Sequence, residues 1–409
     1  MLIVYVSILL NVYVLFAIIN RKDVIFMKNL FIVGARGYHA NYGGWETFVS
    51  NLVDNYNDKK TRIYVTELSD DKSEDKTIKK VNDNLYLIKI YVNSNMGSPK
   101  MFIYTMKAYL FILNYIKCNN IIGSYIYVLG LKLGPLLWFY KRLRRKLSIK
   151  ILVNPDGLEH MRSKWNKIIQ WCFLLSEWSM INHCDMVVCD ALGIQNYIIK
   201  KYKKVKDKTV YIAYGADVPN LVGVDEKTVL DEYLLEKDNY LLMVGRCVPE
   251  NNYELVIREF MNSNIDKKLV IVSNLSSSNY YNELINITNC NSDDRIIFID
   301  GIYDKIKLSV VRKNAYLYIH GHSVGGTNPS LIEALSLTDL NILYDVCFNR
   351  DIGLNNCLYF KEEGSLVKLL NDKELLDKSK IKFGDKLKKY VSRNFTWKKI
   401  VDKYKDIFK

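Results

Sequence analysis

The chain has 409 residues, 49% of them hydrophobic and 25% charged, with no repeats or low-complexity tracts; this excludes a disordered or fibrous protein and exceeds what one core ordinarily serves, so two domains are expected. A formal net charge of +14 points to anionic partners without choosing among nucleic acid, a phospholipid surface and a phosphorylated substrate. The eight cysteines (Cys118, Cys172, Cys184, Cys189, Cys247, Cys290, Cys347, Cys357) form no CxxC pair and no zinc spacing, and most lie in apolar runs, so they read as reduced core residues of a cytosolic protein.

Residues 1–26 begin "MLIVYVSILLNVYVLFAIIN" and continue into Arg21 and Lys22, an apolar stretch near the ~18-residue lower limit for a spanning helix. A membrane anchor, a secretory signal and an upstream extension of a chain that starts at Met27 all compete here, although no convincing small-residue cleavage point follows the apolar run. After Met27 come seven β-rich runs: "NLFIVG", "TRIYVTEL", "LYLIKIYV", "IIGSYIYVLG", "KILVNPDG", "CDMVVCD" and "KTVYIAYG". Helical periodicity fills most of the gaps; Trp45, Phe48, Val49, Leu52, Val53 and Tyr56 fall on one stripe of a helix. A second series follows from Asn239: "NYLLMVGR", "KKLVIVSN", "RIIFID", "AYLYIHG" and "NILYDV". Alternation of this kind predicts two parallel sheets flanked by helices, with ligands between the carboxyl ends of their strands. The expected units are 27–214, a linker at 215–237, a second domain at 238–385 and a terminal helix at 386–409.

Gly34, Gly37, Gly43 and Gly44 follow the first strand, but their spacing is not that of a dinucleotide fingerprint, and no Walker lysine-serine pair is present. What remains is a long loop whose Gly-Gly pair admits a ligand to a helix amino terminus, or a glycine-rich turn that holds nothing. "YIHGHSVGGTNPSLIEAL" (318–335) gives a sharper signal: a strand, a Gly-Gly loop, then a helix with Thr327 or Asn328 as N-cap and Pro329 in first position, a preorganised phosphate site. Glu333, one turn inside, is expected to lean back toward the ligand mouth and accept both hydroxyls of a ribose. Arg246 ends the first strand of that domain, where its guanidinium would neutralise a diphosphate. In "NPDGLEHMRSKWN" Asp156, Glu159, His160 and Arg162 crowd one predicted cleft edge, although a turn or N-cap aspartate before Gly157 is the simpler reading of Asp156. His320 and His322 alternate on a strand end with no carboxylate or cysteine at ligand spacing, so no metal is expected there. "LGPLLWFYKRLRRK" (133–146) sets an apolar half against a basic end, either a solvated surface helix or a site of peripheral docking on anionic lipid.

"GRCVPENN" followed by "HSVGGTNPSLIEAL" resembles the nucleotide-sugar half of GT-B glycosyltransferases of family 4. "GARGYHANYGGWETFV" and "NPDGLEHMRSKWN" narrow the resemblance to the bacterial rhamnosyltransferase branch, across nearly all of residues 28–400. The resemblance implies an α/β GT-B fold, with two Rossmann-like doubly wound domains facing a cleft and a carboxy-terminal helix crossing back to the first domain. It further implies transfer of L-rhamnose from dTDP-β-L-rhamnose onto a lipid-linked saccharide in cell-surface polysaccharide synthesis. Such transfer would take place at the cytoplasmic face of the membrane, with retention of configuration and without metal or cofactor. Carried onto this chain, the donor side would use Arg246, Asn251, His322, Gly325, Gly326, Thr327, Asn328, Ser330 and Glu333. Asp156 would orient or deprotonate the acceptor hydroxyl with Glu159 second, and Arg36, His39, Gly43, Gly44, His160 and Arg162 would line the acceptor side. Two positions depart from the wider family: Gly325 stands where the first of two glutamates eight apart is usual, and Asn251 where a lysine is usual. A UDP-sugar donor, a non-catalytic scaffold and a nucleic-acid binder are the rival readings, the last lacking any base-reading module.

Overall fold

A computed structural model describes residues 27–39, 44–97, 99–155, 157, 160, 166–216, 218–276, 278–324 and 327–408. The first domain is built on strands Lys28–Val33 (β1), Thr61–Ser69 (β2), Ile78–Lys80 (β3), Leu85–Tyr91 (β4), Ser124–Leu129 (β5), Lys150–Asn154 (β6), Met186–Cys189 (β7) and Thr209–Tyr211 (β8). They lie in the order β3-β4-β2-β1-β5-β6-β7-β8, parallel except for the β3–β4 pair. The second domain has strands Tyr240–Val244 (β9), Lys268–Ser273 (β10), Ile296–Asp300 (β11), Leu317–His320 (β12), Asn341–Tyr344 (β13) and Leu358–Phe360 (β14), all parallel, in the order β11-β10-β9-β12-β13-β14.

Each sheet is covered on both faces, which is why its strands read as near-continuous apolar runs. Along β1, Phe31 and Val33 enter one core cluster, while Leu30 and Ile32 enter the cluster on the opposite face. The helix Gly44–Asp54 buries Phe48, Val49 and Leu52 on that second face, as its periodicity predicts. The order of strands reverses at β1/β5 in the first sheet and at β9/β12 in the second. Loops leaving these strands at their carboxyl ends diverge there and open a crevice. Gly34, at φ +114°, sits at the first of these points; a Cβ would lie 2.4 Å from the Leu129 carbonyl oxygen.

The chain crosses between the domains twice, and the two crossings touch. Ala216 N donates to the Phe395 carbonyl (2.8 Å), and a Cβ on Gly215 would meet the Trp397 indole at 2.8 Å. The region expected as linker contributes Leu230 and Leu235 to the second core. The return comes later than residue 386: the helix Lys373–Asn394 keeps Leu387 and Val391 in the second domain. Only Trp397–Ile407 lies on the first, adding Trp397, Ile400, Val401 and Tyr404 to the cluster around Phe48, Tyr127 and Tyr214. Five cysteines are buried and all eight are free, but Cys118, Cys172 and Cys347 are exposed, so the core reading fails for those three. Among the described residues no helix is long and apolar enough to cross a membrane; residues 1–26 lie outside them.

Candidate functional site

The two switch points face each other across a cleft of about 720 Å³. Gly245, Arg246, Asn251, His320, His322 and Asn328 lie on its second-domain side, and Arg36, Trp45, Glu46, Lys132, Asp190 and Tyr214 on its first-domain side.

Arg246 is exposed, lies on the cleft wall and has no carboxylate partner among the described residues. Its loop is fixed from behind by Asn251, whose Nδ2 donates to the Arg246 carbonyl (2.7 Å) while its Oδ1 faces His322 Nδ1 (2.8 Å). Asn251 is thus a buried strut between the Arg246 loop and His322, not only a wall residue. Close packing makes glycine necessary at Gly321, where a Cβ would sit 2.1 Å from the Asn251 carbonyl oxygen. His320 forms part of the same wall with Nε2 lacking a hydrogen-bond partner among the described residues. Burial, with His322 adding repulsion, holds its pKa well below the ordinary imidazole value, so it stands neutral.

The helix Pro329–Leu337 begins as expected with Pro329 in first position, and Asn328 is the cap, its side chain accepting from Ser330 N at 2.9 Å. That bond, and the missing N–H of Pro329, leave fewer first-turn donors for an anion than the sequence suggested. Thr327 lines the cleft but spends its hydroxyl on the Asp190 carbonyl of the first domain, joining the two walls. Ser330 Oγ accepts from Arg312 Nη2 (3.0 Å). Glu333 does not reach the main cleft. Its Oε2 is 2.7 Å from Arg312 Nη1, because that guanidinium is only 4% exposed and needs a counter-charge. Glu333 lines a neighbouring cavity of about 100 Å³ with Val218, Pro219, Tyr303 and Leu308. One carboxylate oxygen, not two, is therefore left for a ligand.

On the first-domain side the glycine loop is closed by the protein itself. Arg36 N donates to Glu46 Oε1 (2.9 Å), Tyr38 N to Glu67 Oε1 (3.3 Å) and His39 N to Ser50 Oγ (2.8 Å). These N–H groups hold the described part of the loop against its own helix and against β2, so they are not a nucleotide cradle. Arg36 and Gly44 nonetheless line the cleft, whereas the His39 imidazole lies beside Tyr38 and Asp54 and does not. His160 is also turned away, with Nδ1 3.3 Å from the buried Glu177, which gathers Tyr197 (3.0 Å), Lys201 (2.8 Å) and Tyr202 (2.7 Å) as well. Burial pushes the Glu177 carboxyl up, but His160, Lys201 and Tyr202 outweigh it and hold the pKa at about 2. Asp156, Glu159, Arg162, Gly43, Gly325 and Gly326 lie outside the described residues.

Trp45, Lys132, Asp190 and Tyr214 were missed. Lys132 Nζ stands 3.9 Å from the centre of the Trp45 ring, a cation–π contact on the cleft wall. Lys132, Asp190 and Tyr214 each come within three residues of a strand's carboxyl end, a position from which they could have been picked. Among the described residues no three His, Cys, Asp or Glu side chains gather as a metal site.

A family model described as a domain of unknown function (DUF1972) matches residues 27–217, essentially the first domain. An uncharacterized glycosyltransferase of Methanocaldococcus jannaschii, MJ1069, is 26% identical over 236 residues, 55% of this chain and 58% of that protein's length. Sucrose-phosphate synthase from Thermosynechococcus elongatus matches over 93% of this chain and 98% of its own with a TM-score of 0.72 at 15% identity. HepE of Anabaena, solved in complex with UDP, matches over 93% and 99% with a TM-score of 0.69 at 12% identity. Two parallel-sheet Rossmann-like domains facing one cleft, shared with these structures along nearly the whole chain, give this protein the GT-B fold.

Proposed function

We propose that the protein is a glycosyltransferase that moves L-rhamnose from dTDP-β-L-rhamnose onto a lipid-linked saccharide of a bacterial surface polysaccharide. The observation that carries the transfer reading is Arg246, a guanidinium without a carboxylate partner among the described residues, on the wall of a cleft that opens at the switch points of both sheets. Cleavage of the anomeric C–O bond leaves a nucleoside diphosphate with growing negative charge. The Arg246 guanidinium would stabilise that charge as it develops. A donor running from the main cleft into the neighbouring cavity would present its ribose end to the one oxygen that Glu333 has available beside Tyr303. Asp156 would orient or deprotonate the acceptor hydroxyl, with Glu159 second. The rhamnose assignment is supported by the sequence resemblance alone. A UDP-sugar is the second reading, favoured by HepE, whose solved complexes hold UDP and UDP-glucose.

The test is to offer dTDP-rhamnose, UDP-glucose and UDP-N-acetylglucosamine to the purified protein, with membrane extract as acceptor, and weigh the lipid-linked product by mass spectrometry. Rhamnose incorporation is expected, and Arg246→Ala should lower it by ~10²–10³-fold with an unchanged circular dichroism spectrum. Incorporation only from a UDP donor overturns the sugar and keeps the reaction. Full activity of Arg246→Ala overturns the site.

A further inference from the structure

The helix Lys167–His183 is apolar on all sides, a pattern that ordinarily marks a helix surrounded by protein or lipid. Its inner face, including Phe173, Ser176, Met180 and Ile181, is buried against the first domain. The other face is not covered: Ile168, Trp171, Leu175 and Trp178, spaced along one helical stripe, are 74, 60, 45 and 55% exposed. Beside this stripe the short helix Leu136–Phe139 packs on the same helix and leaves Trp138 and Phe139 exposed as well. The basic helix Lys141–Lys146 follows at once. Arg144 pins it to the end of the aromatic helix, donating to the His183 carbonyl at 2.8 Å, which leaves Arg142, Arg145 and Lys146 exposed. Nearby acids do not cancel this charge: Glu177 is buried in its own network and Asp185 faces Arg144 and Ile151 N.

We infer that this face docks on the surface of a membrane containing anionic phospholipid. Tryptophan and aliphatic side chains on one stripe suit the headgroup–acyl boundary, and the basic end suits the phosphates beside it. An apolar partner protein would fit the stripe but leave Arg142, Arg145 and Lys146 unpaired, whereas headgroup phosphates lie where those cations stand. The inner face of the same helix leads to the cleft: Phe102 packs on Phe173 with ring centres 5.2 Å apart, and its neighbour Met101 lines the cleft wall. This goes beyond the transfer reaction and holds whichever sugar is donated.

Cys172 is exposed on the same helix and gives a local probe that is independent of residues 1–26. In the full chain with Cys118→Ser and Cys347→Ser, an environment-sensitive fluorophore on Cys172 should shift to the blue on phosphatidylglycerol-containing vesicles, and much less on phosphatidylcholine alone. High salt should reverse the shift. Trp171→Glu with Trp178→Glu should abolish it, and each of Arg142→Gln and Arg145→Gln should weaken vesicle affinity about fivefold. A label that keeps its aqueous emission on anionic vesicles overturns the inference. A blue shift without vesicles, rising with protein concentration alongside a doubled mass in sedimentation, overturns it in favour of a second copy of the chain.

Discussion

Glu177 loses its water on folding and receives Tyr197, Tyr202 and Lys201 as donors, with His160 3.3 Å away. With its folded pKa at about 2, against about 4.3 in an unfolded chain, the carboxylate contributes stability that is fully present above the unfolded value. That contribution declines as pH falls through the folded one. Glu177→Gln should therefore lower the melting temperature at neutral pH, with a loss on the order of 2 kcal/mol. The gap between variant and parent should narrow between about pH 4.3 and pH 2; a gap that stays constant across that window would reject the role. His160 shows why such sites are hard to read from sequence. Its position beside Asp156 and Glu159 in the chain suggested the cleft, yet a buried carboxylate many residues away claims it. Arg312 does the same to Glu333, whereas His322 stays on the cleft wall with Asn251 beside its Nδ1. The positions of Arg246 on the cleft wall and of Asn328 as helix cap were legible because they follow from local order alone, whereas long-range pairing of charges leaves no local trace.

Elements were more legible than side chains. All twelve β-rich runs became strands, and the two additional strands, β3 and β14, are three-residue edges too short to show a pattern. Where elements of different domains meet, fit is tight. The helix Cys347–Gly353 packs on Leu192–Lys201, and Asp351 Oδ2 accepts from Gly193 N at 2.8 Å. A Cβ on Gly193 would lie 2.5 Å from Cys347 Sγ. Gly193→Ala should push these helices apart and widen the cleft, raising the radius of gyration in small-angle scattering and raising donor KM several-fold. Adding Cys347→Gly, which removes the opposing atoms, should restore much of both; a second change without effect would show that the helices are not what holds the cleft shut.

At the scale of the molecule, the crossings between the domains are paired at Ala216 and Phe395, and Thr327 and Asp351 each bond to the first domain away from that place. The same arrangement separates what is contiguous in sequence from what can fold by itself. Trp397, Ile400, Val401, Tyr404 and Phe408 come from the far end of the chain, yet they complete the first domain's aromatic centre, where the Tyr127 and Tyr404 hydroxyls meet at 2.9 Å. Burying these five side chains contributes on the order of 10 kcal/mol, comparable to the whole net stability of a typical domain. Residues 27–217 produced alone should consequently aggregate or bind hydrophobic dyes, and a peptide of residues 396–409 supplied in trans should rescue their solubility. Because ribosomes deliver that segment after both sheets, the amino-terminal half must wait, unfinished, until residues 396–408 have emerged, so chaperone dependence should fall on the domain that is made first.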